Sequence, residues 1–381
     1  MNKFGKTMLI IAVVMVIFGG VLWTVAWTFN ARPQQLWFNS RLSQYTDEGS
    51  FFYQDEFYKL DWDISQSDFS FQEDGVYAID AEGIQNLHLL WLTGEVEIQL
   101  SDTTEITLAE TAQTRLTEET ALRYSVKNGD LYVQYCTEHA PNNLPSKDIT
   151  ITIPLTLAEN MGLLSLYSVS ADVTLENITA QDFSFSSTSG DLEATNLTAN
   201  TVEMDATSGN LTFSGVYQTL TADTSSGKIH VTSLGQPSYT ELDSTSGKIE
   251  ITGDCGDLSA GTTSGNINGE DITVNGADLD TTSGDIVLNG SLDMVEANTV
   301  SGKIDLTLLS CPSTLEADTT SGNVLLFLPE NSGFTLAFDT TSGSLRTDYG
   351  TVTLDNKLQV GDGTGEFEVD TVSGDLILQL D

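Results

Sequence analysis

Seven aspartates occupy one fixed place in a repeated motif, four residues before the glycine of a Ser-Gly step: Asp205, Asp223, Asp243, Asp280, Asp318, Asp339 and Asp370, with Asn298 in a further copy. Carboxylates set in a row by a repeat allow two kinds of chemistry. Hard oxygen ligands in columns suit a divalent cation such as Ca²⁺. Alternatively, each Asp accepts hydrogen bonds from backbone amides of its own turn, as Asp does in Asx turns. Stacked about 4.8 Å apart, neighbouring carboxylates repel by roughly 1 kcal/mol even in water, so something must offset them. The capping reading is adopted here. Lys228, Lys248 and Lys303, one residue after the glycine, fit it as basic groups expected near the ladder. The Gly-Gly-x-Gly-x-Asp nonapeptide of calcium-filled β-rolls is missing, which leaves the seven-aspartate calcium ladder as the second reading.

No other grouping of residues suggests catalysis or a cofactor. Cys136, Cys255 and Cys311 are odd in number and form no CxxC, so they read as small apolar core residues. His88, His139 and His230 are isolated from them and from one another, so no metal cluster can be assembled from spacing. No nucleophile motif, phosphate loop or zinc helix is present. Acids repeated in every copy are what a scaffold shows, whereas a catalytic site should break the repeat. No enzyme activity and no cofactor are therefore expected.

The elements that must position these acids follow from the repeat. Ser-Gly recurs with its glycine at 190, 209, 227, 247, 265, 284, 302, 322, 343 and 374, and Ala171 closes a degenerate first copy. A period of about twenty marks a stacked repeat in which each unit needs its neighbours to bury an apolar face. Two residues after the glycine stand Leu192, Leu211, Ile229, Ile249, Ile267, Ile286, Ile304, Val324, Leu345 and Leu376, and apolar residues also prevail four after, five before and seven before. The spacing is two on both sides, so each copy reads as strand, corner, strand. The corner glycine is expected at positive φ, and the Thr and Ser before it are expected to stack as hydroxyl ladders. The fold class is all-β: a parallel β-helix or β-solenoid of about eleven coils of 18 to 21 residues, with an N-terminal β cap, preceded by one transmembrane helix.

That helix is read at Thr7 to Phe29, a run without charge that follows Lys3 and Lys6 and carries Trp23 and Trp27 near its far end. At 1.5 Å per residue such a run spans a bilayer core of about 30 Å, with the lysines cytoplasmic. The expected placement is a single-pass cell-membrane protein with its body outside. Acids number 55 and bases 14, and removing the two N-terminal lysines leaves 12 bases against 55 acids, a balance of −43 for the body. Such a field argues against nucleic acid and favours cations or basic partners, while also keeping a long β surface soluble.

Four regions result: residues 1–29 as tail and membrane helix, 30–70 as an aromatic-rich juxtamembrane linker, 71–160 as the capping module and 161–381 as the repeats. Within the cap, Leu87, Leu89, Val96 and Ile98 sit at the repeat offsets from Gly94, and Asn128-Gly129 between alternating segments signals a hairpin.

The membrane helix, the module ending in Ile149-Thr150-Ile151-Thr152-Ile153-Pro154 and the tandem Thr-Ser-Gly-[Asp/Asn/Lys]-[Ile/Leu] coils together resemble a bacterial membrane-anchored β-strand-repeat family of unknown function, commonly labelled "putative adhesin". The likeness covers about residues 71 to 381. It implies a membrane-tethered, surface-exposed β-solenoid. The last interval, 31 residues with Gly361-Asp362-Gly363-Thr364-Gly365 inside it, departs from the pattern and reads as a capping loop. The expected role is non-catalytic, in adhesion or envelope structure, with an unidentified envelope or host-surface component as partner and divalent cations possible. The alternatives are a carbohydrate-active β-helix enzyme and an envelope-stress sensor acting through a membrane partner.

Overall fold

A computed structural model describes residues 71–137, 144–354 and 357–380. These belong to the larger of two compact units, Asp63–Ala140 with Leu144–Asp381, which is the subject below. It is all-β. Among the described residues the one helix is α1 (Leu155–Ala158), and none is long and apolar enough to cross a membrane. The expected span at Thr7 to Phe29 and the linker at 30–70 lie outside the described residues.

Each coil consists of two short strands joined by the Ser-Gly corner. β10 (Thr201–Ala206) and β11 (Leu211–Val216) form one coil, β12 (Thr219–Thr224) and β13 (Ile229–Ser233) the next, and β14 (Tyr239–Ser244) leads into β15 (Ile249–Thr262). β10 pairs in parallel with β12, and β12 with β14, so that Met204, Ala222 and Leu242 share a row. After the corner, Leu211, Ile229, Ile249, Ile267 and Ile286 line up through β16 (Ile267–Thr281) and β17 (Ile286–Thr299). All five are fully buried. Thr240 is the polar exception among the residues seven before the glycine. It is fully buried, and its hydroxyl meets the Tyr217 hydroxyl at 2.9 Å and donates to the Cys255 carbonyl at 2.9 Å, so no hydrogen-bonding capacity is stranded.

The corner glycines are needed for a different reason from the one expected. Of those closing the coils only Gly94 has positive φ, at 102°. A Cβ on any of the ten others would stand 1.6–2.0 Å from the carbonyl oxygen of the corner residue in the adjacent coil, which no side chain can do. At Gly265, for example, the oxygen of Gly247 would be 1.8 Å away. The left-handed turn comes six residues later instead, at Asn177, Asn196, Gly253, Asp271 and Gly290. Asn, Asp and Gly are the residue types that tolerate that conformation.

The order of coils in space differs from their order in sequence at both ends. β2 (Asn86–Ser101) is the early coil and runs parallel to β7 (Met161–Glu176), with Leu87 opposite Leu164 and Val96 opposite Val173. On its other side lie β5 (Asp130–Gln134) and β6 (Lys147–Pro154), which come later in the chain. They are covered in turn by antiparallel strands: β4 (Arg123–Lys127) on β5 through the Asn128-Gly129 turn, and β3 (Glu105–Ala112) on β6, with β1 (Val76–Asp80) beyond β3.

At the other end, β25 (Gly365–Thr371) lies between β19 (Thr314–Thr319) and β21 (Phe334–Thr340). β26 (Leu376–Leu380) likewise lies between β20 (Val324–Leu328) and β22 (Leu345–Thr347). The last coil in sequence is thus next to last in space, and this accounts for the 31-residue interval. The cap at this end is the antiparallel hairpin β23 (Thr351–Leu354) and β24 (Lys357–Val360), which covers β21. The expected capping loop at 361–365 instead connects β24 to β25.

Candidate functional site

The aspartates stand in one column on the outward side of the strand before the corner. Asp205, Asp223 and Asp243 are successive neighbours, Gly261 follows, then Asp280 and Asn298, and the column closes with Asp318, Asp370 and Asp339 in that spatial order. Two residues earlier, a parallel column runs Glu203, Thr221, Glu241, Ser259, Asp278, Glu296, Glu316, Glu368 and Ala337. No lysine, arginine or histidine occurs in these stretches; beyond Glu203 the second column continues through Ser184 and Ser165 to His88.

The carboxylates do not cap their own corners. That task belongs to the Ser or Thr three residues before the glycine. Ser187, Thr224, Ser244 and Thr262 accept the amide N–H of Gly190, Gly227, Gly247 and Gly265 at 2.7–3.0 Å. The hydroxyls of Thr281, Thr299 and Thr319 donate to the carbonyls of Gly265, Gly284 and Gly302 in the adjacent coil. The expected hydroxyl ladder therefore exists, and it occupies the capping role assigned to Asp. The sequence carried this signal, since the position three before the glycine is Ser or Thr in nearly every copy.

With no base beside them, the stacked acids are hard to ionise. Asp223, between Asp205 and Asp243, is pushed up to about 6 from 3.8, first by burial and then by its two neighbours and Glu241. Asp318 is pushed up to about 6 by burial, Asp370, Glu316 and Glu368, with slight relief from the Asp370 amide. Asp205, Asp243 and Asp370 are raised in the same way, burial leading in each case.

Past the corner several of the charges are paired. Lys228, Lys248 and Lys303 do not face the aspartate column. Lys228 and Lys248 both bind Glu250, the latter at 2.7 Å, and His230 approaches the same carboxylate at 3.2 Å. Hydrogen bonds from the two lysines hold Glu250 down at about 2. Lys303 pairs with Asp305 at 2.9 Å. One residue after the corner residue (Ala171, Gly190 or Gly209), Asp and Asn side chains bind amides of the adjacent coil: Asp172 that of Asp191, Asp191 that of Asn210, and Asn210 that of Lys228. These acids are offset by donors.

No group of three or more His, Cys, Asp or Glu among the described residues is placed to hold a metal ion. Cys136 and Cys255 are buried and free, and burial pushes both thiols up to about 12. Cys311 is free and partly exposed, and His88 contacts Asp130 at 3.5 Å.

Sequence reasoning missed a buried charge pair at the capped end. Lys147 takes the place of a corner glycine beside Gly94, and its ammonium group donates to Glu110 at 2.8 Å and to the carbonyls of Thr120 and Tyr135. It also lies 4.9 Å from the Trp91 ring centroid and 4.2 Å from that of Tyr135. No spacing in the sequence links Lys147 to Glu110, so only the fold brings them together.

An all-β stack of parallel coils closed by Ser-Gly corners, with one side lined by acids, defines a β-solenoid-like repeat protein. The family model described as Toastrack DUF4097 matches residues 84–253 and 217–379, and the chain belongs to that family, whose function is unknown. No curated protein matches the sequence. Among solved structures, one described as a "putative cell adhesion protein" from Clostridium sporogenes aligns over 80% of this chain and 98% of its own, at 11% identity and a TM-score of 0.20. A score that low carries no argument about fold or function.

Proposed function

We propose that this protein is a non-catalytic scaffold of about eleven or more coils, tethered to the cell membrane by Thr7 to Phe29 and displaying its acidic face outside the cell to basic polypeptides or cations of the envelope. The uncharged run behind Lys3 and Lys6 supports the tether. One observation carries the binding role: from β10 onward the two outward columns before the corner are mostly acids and hold no base, whereas after the corner Glu250 and Asp305 are paired with lysines. Acids needed only for solubility could stand on either face with lysines between them. A field of one sign on one face draws in oppositely charged partners, with strong salt dependence.

The test uses the full chain in detergent and a fluorescent oligolysine peptide. A variant with Asp223→Asn, Glu241→Gln and Asp243→Asn should bind the peptide several-fold more weakly than wild type. A control with Glu97→Gln, Glu176→Gln and Glu193→Gln removes equal charge from the exposed face after the corner and should bind nearly as well as wild type. Equal losses in both variants would reduce the face to general net charge and overturn the proposal.

A further inference from the structure

The two ends of the stack are finished differently. At the end nearer the N-terminus both half-coils are covered, β5 by β4 and β6 by β3. At the far end β24 covers β21, but among the described residues no strand covers β22. β22 meets β26 through the Ser344 carbonyl, which accepts from the Leu376 amide at 3.0 Å, and through the Asp348 amide, which donates to Leu378 at 3.1 Å. In a parallel ladder alternate residues face alternate neighbours. Leu345 and Thr347 therefore turn their N–H and C=O groups to the open side. Leu345 is also the partly exposed member of a column in which Leu376 and Val324 are fully buried.

We propose that β22 is a strand-addition site that takes an extended peptide segment of another polypeptide, with two aliphatic residues flanking an acid. Only another extended backbone offers donors and acceptors at the spacing of the free Leu345 and Thr347 groups. An aliphatic side chain would continue the inward column past Leu345, and the acid between would lie beside Arg346, whose guanidinium is well exposed and 3.6 Å from Asp375. A second copy is a poorer occupant, since antiparallel pairing of β22 with itself centres Arg346 on Arg346. This site is independent of the acidic face.

The probe is a synthetic hexapeptide with the sequence Lys-Ile-Asp-Leu-Thr-Leu, that of residues 303–308, added to the full chain. Saturable binding should slow hydrogen exchange at the Leu345 and Thr347 amides and leave those of β4 unchanged. Thr347→Pro removes the outward N–H without touching the bonds to β26 and should weaken binding at least tenfold. Arg346→Glu should weaken binding of this peptide and favour one with Lys in place of Asp. Three results would overturn the proposal: no binding at millimolar peptide, binding indifferent to both variants, or Leu345 and Thr347 amides already protected without peptide. The last would mean that residues outside the described ones, or a second copy, already occupy the edge.

Discussion

Before and after the corner, the same coils carry acids at the same vertical spacing with opposite electrostatic results. Asp223, among Asp205, Asp243 and Glu241, is raised to about 6, whereas Glu250, between Lys228 and Lys248, is lowered to about 2. The repeat alone does not determine whether a column of charge is strained. What stands one coil above and below decides it, because in-register stacking makes residues about twenty apart in sequence nearest neighbours. Acid on acid is tolerated here along two columns.

Removing what holds both faces in register should have the largest effect. Gly265→Ala would place a methyl 1.8 Å from the Gly247 carbonyl oxygen and force two coils apart, costing on the order of 3 kcal/mol or more. Urea unfolding measures this, and a loss below about 1 kcal/mol would contradict the close-approach account. Asn266→Asp, exposed and next in sequence, should be nearly neutral in the same assay.

Charge substitutions should then have opposite signs on the two faces. Asp223→Asn and Asp318→Asn each remove a disfavoured charge and should stabilise by about 1 kcal/mol, discounted because both side chains are partly exposed. Glu250→Gln leaves Lys228 and Lys248 unpaired and should destabilise by up to about 1 kcal/mol. Effects of the same sign at Asp223 and Glu250 would erase the contrast between the faces.

The smallest effect is a slope with pH. Asp223 and Asp318, near 6 when folded and 3.8 otherwise, bind protons in the folded state that the unfolded chain lacks, so stability should rise as pH falls through 6 toward 4. Glu250 works the other way, its contribution being complete above 4.5 and lost as pH falls toward 2. The urea midpoint should be higher at about pH 5 than at about pH 8, and the Asp223→Asn, Asp318→Asn double variant should flatten that difference. An unchanged slope in the double variant would assign the effect to net charge alone.

The repeat was legible because period two and period about twenty are both written in residue types: the aliphatic rows at Ile229, Ile249, Ile267 and Ile286 came directly from sequence offsets. The cause of the corner glycine was not legible, since positive φ and close backbone approach both select glycine. The cap was misassigned to Asp because Asp and the Ser or Thr beside it are both good cappers, and only strand geometry shows that Asp223 points out while Thr224 points in. The placement of β25 and β26 between earlier coils was beyond reach, because every coil carries the same motif and could pair with any other. The buried Lys147–Glu110 pair lay hidden for the opposite reason, having no motif at all.

The enclosed first and last coils determine how the stack answers to force. In a simple solenoid, tension on either terminus peels one layer after another, each breaking alone at low load. Here a pull on β26 must slide a layer out from between β20 and β22, and a pull entering at β2 must draw one from between β5–β6 and β7, so ladders on two sides break together. Shear of that kind resists higher load than peeling, and it also sets an order of assembly: β22 cannot join the stack until β26, which follows it in sequence, has been made.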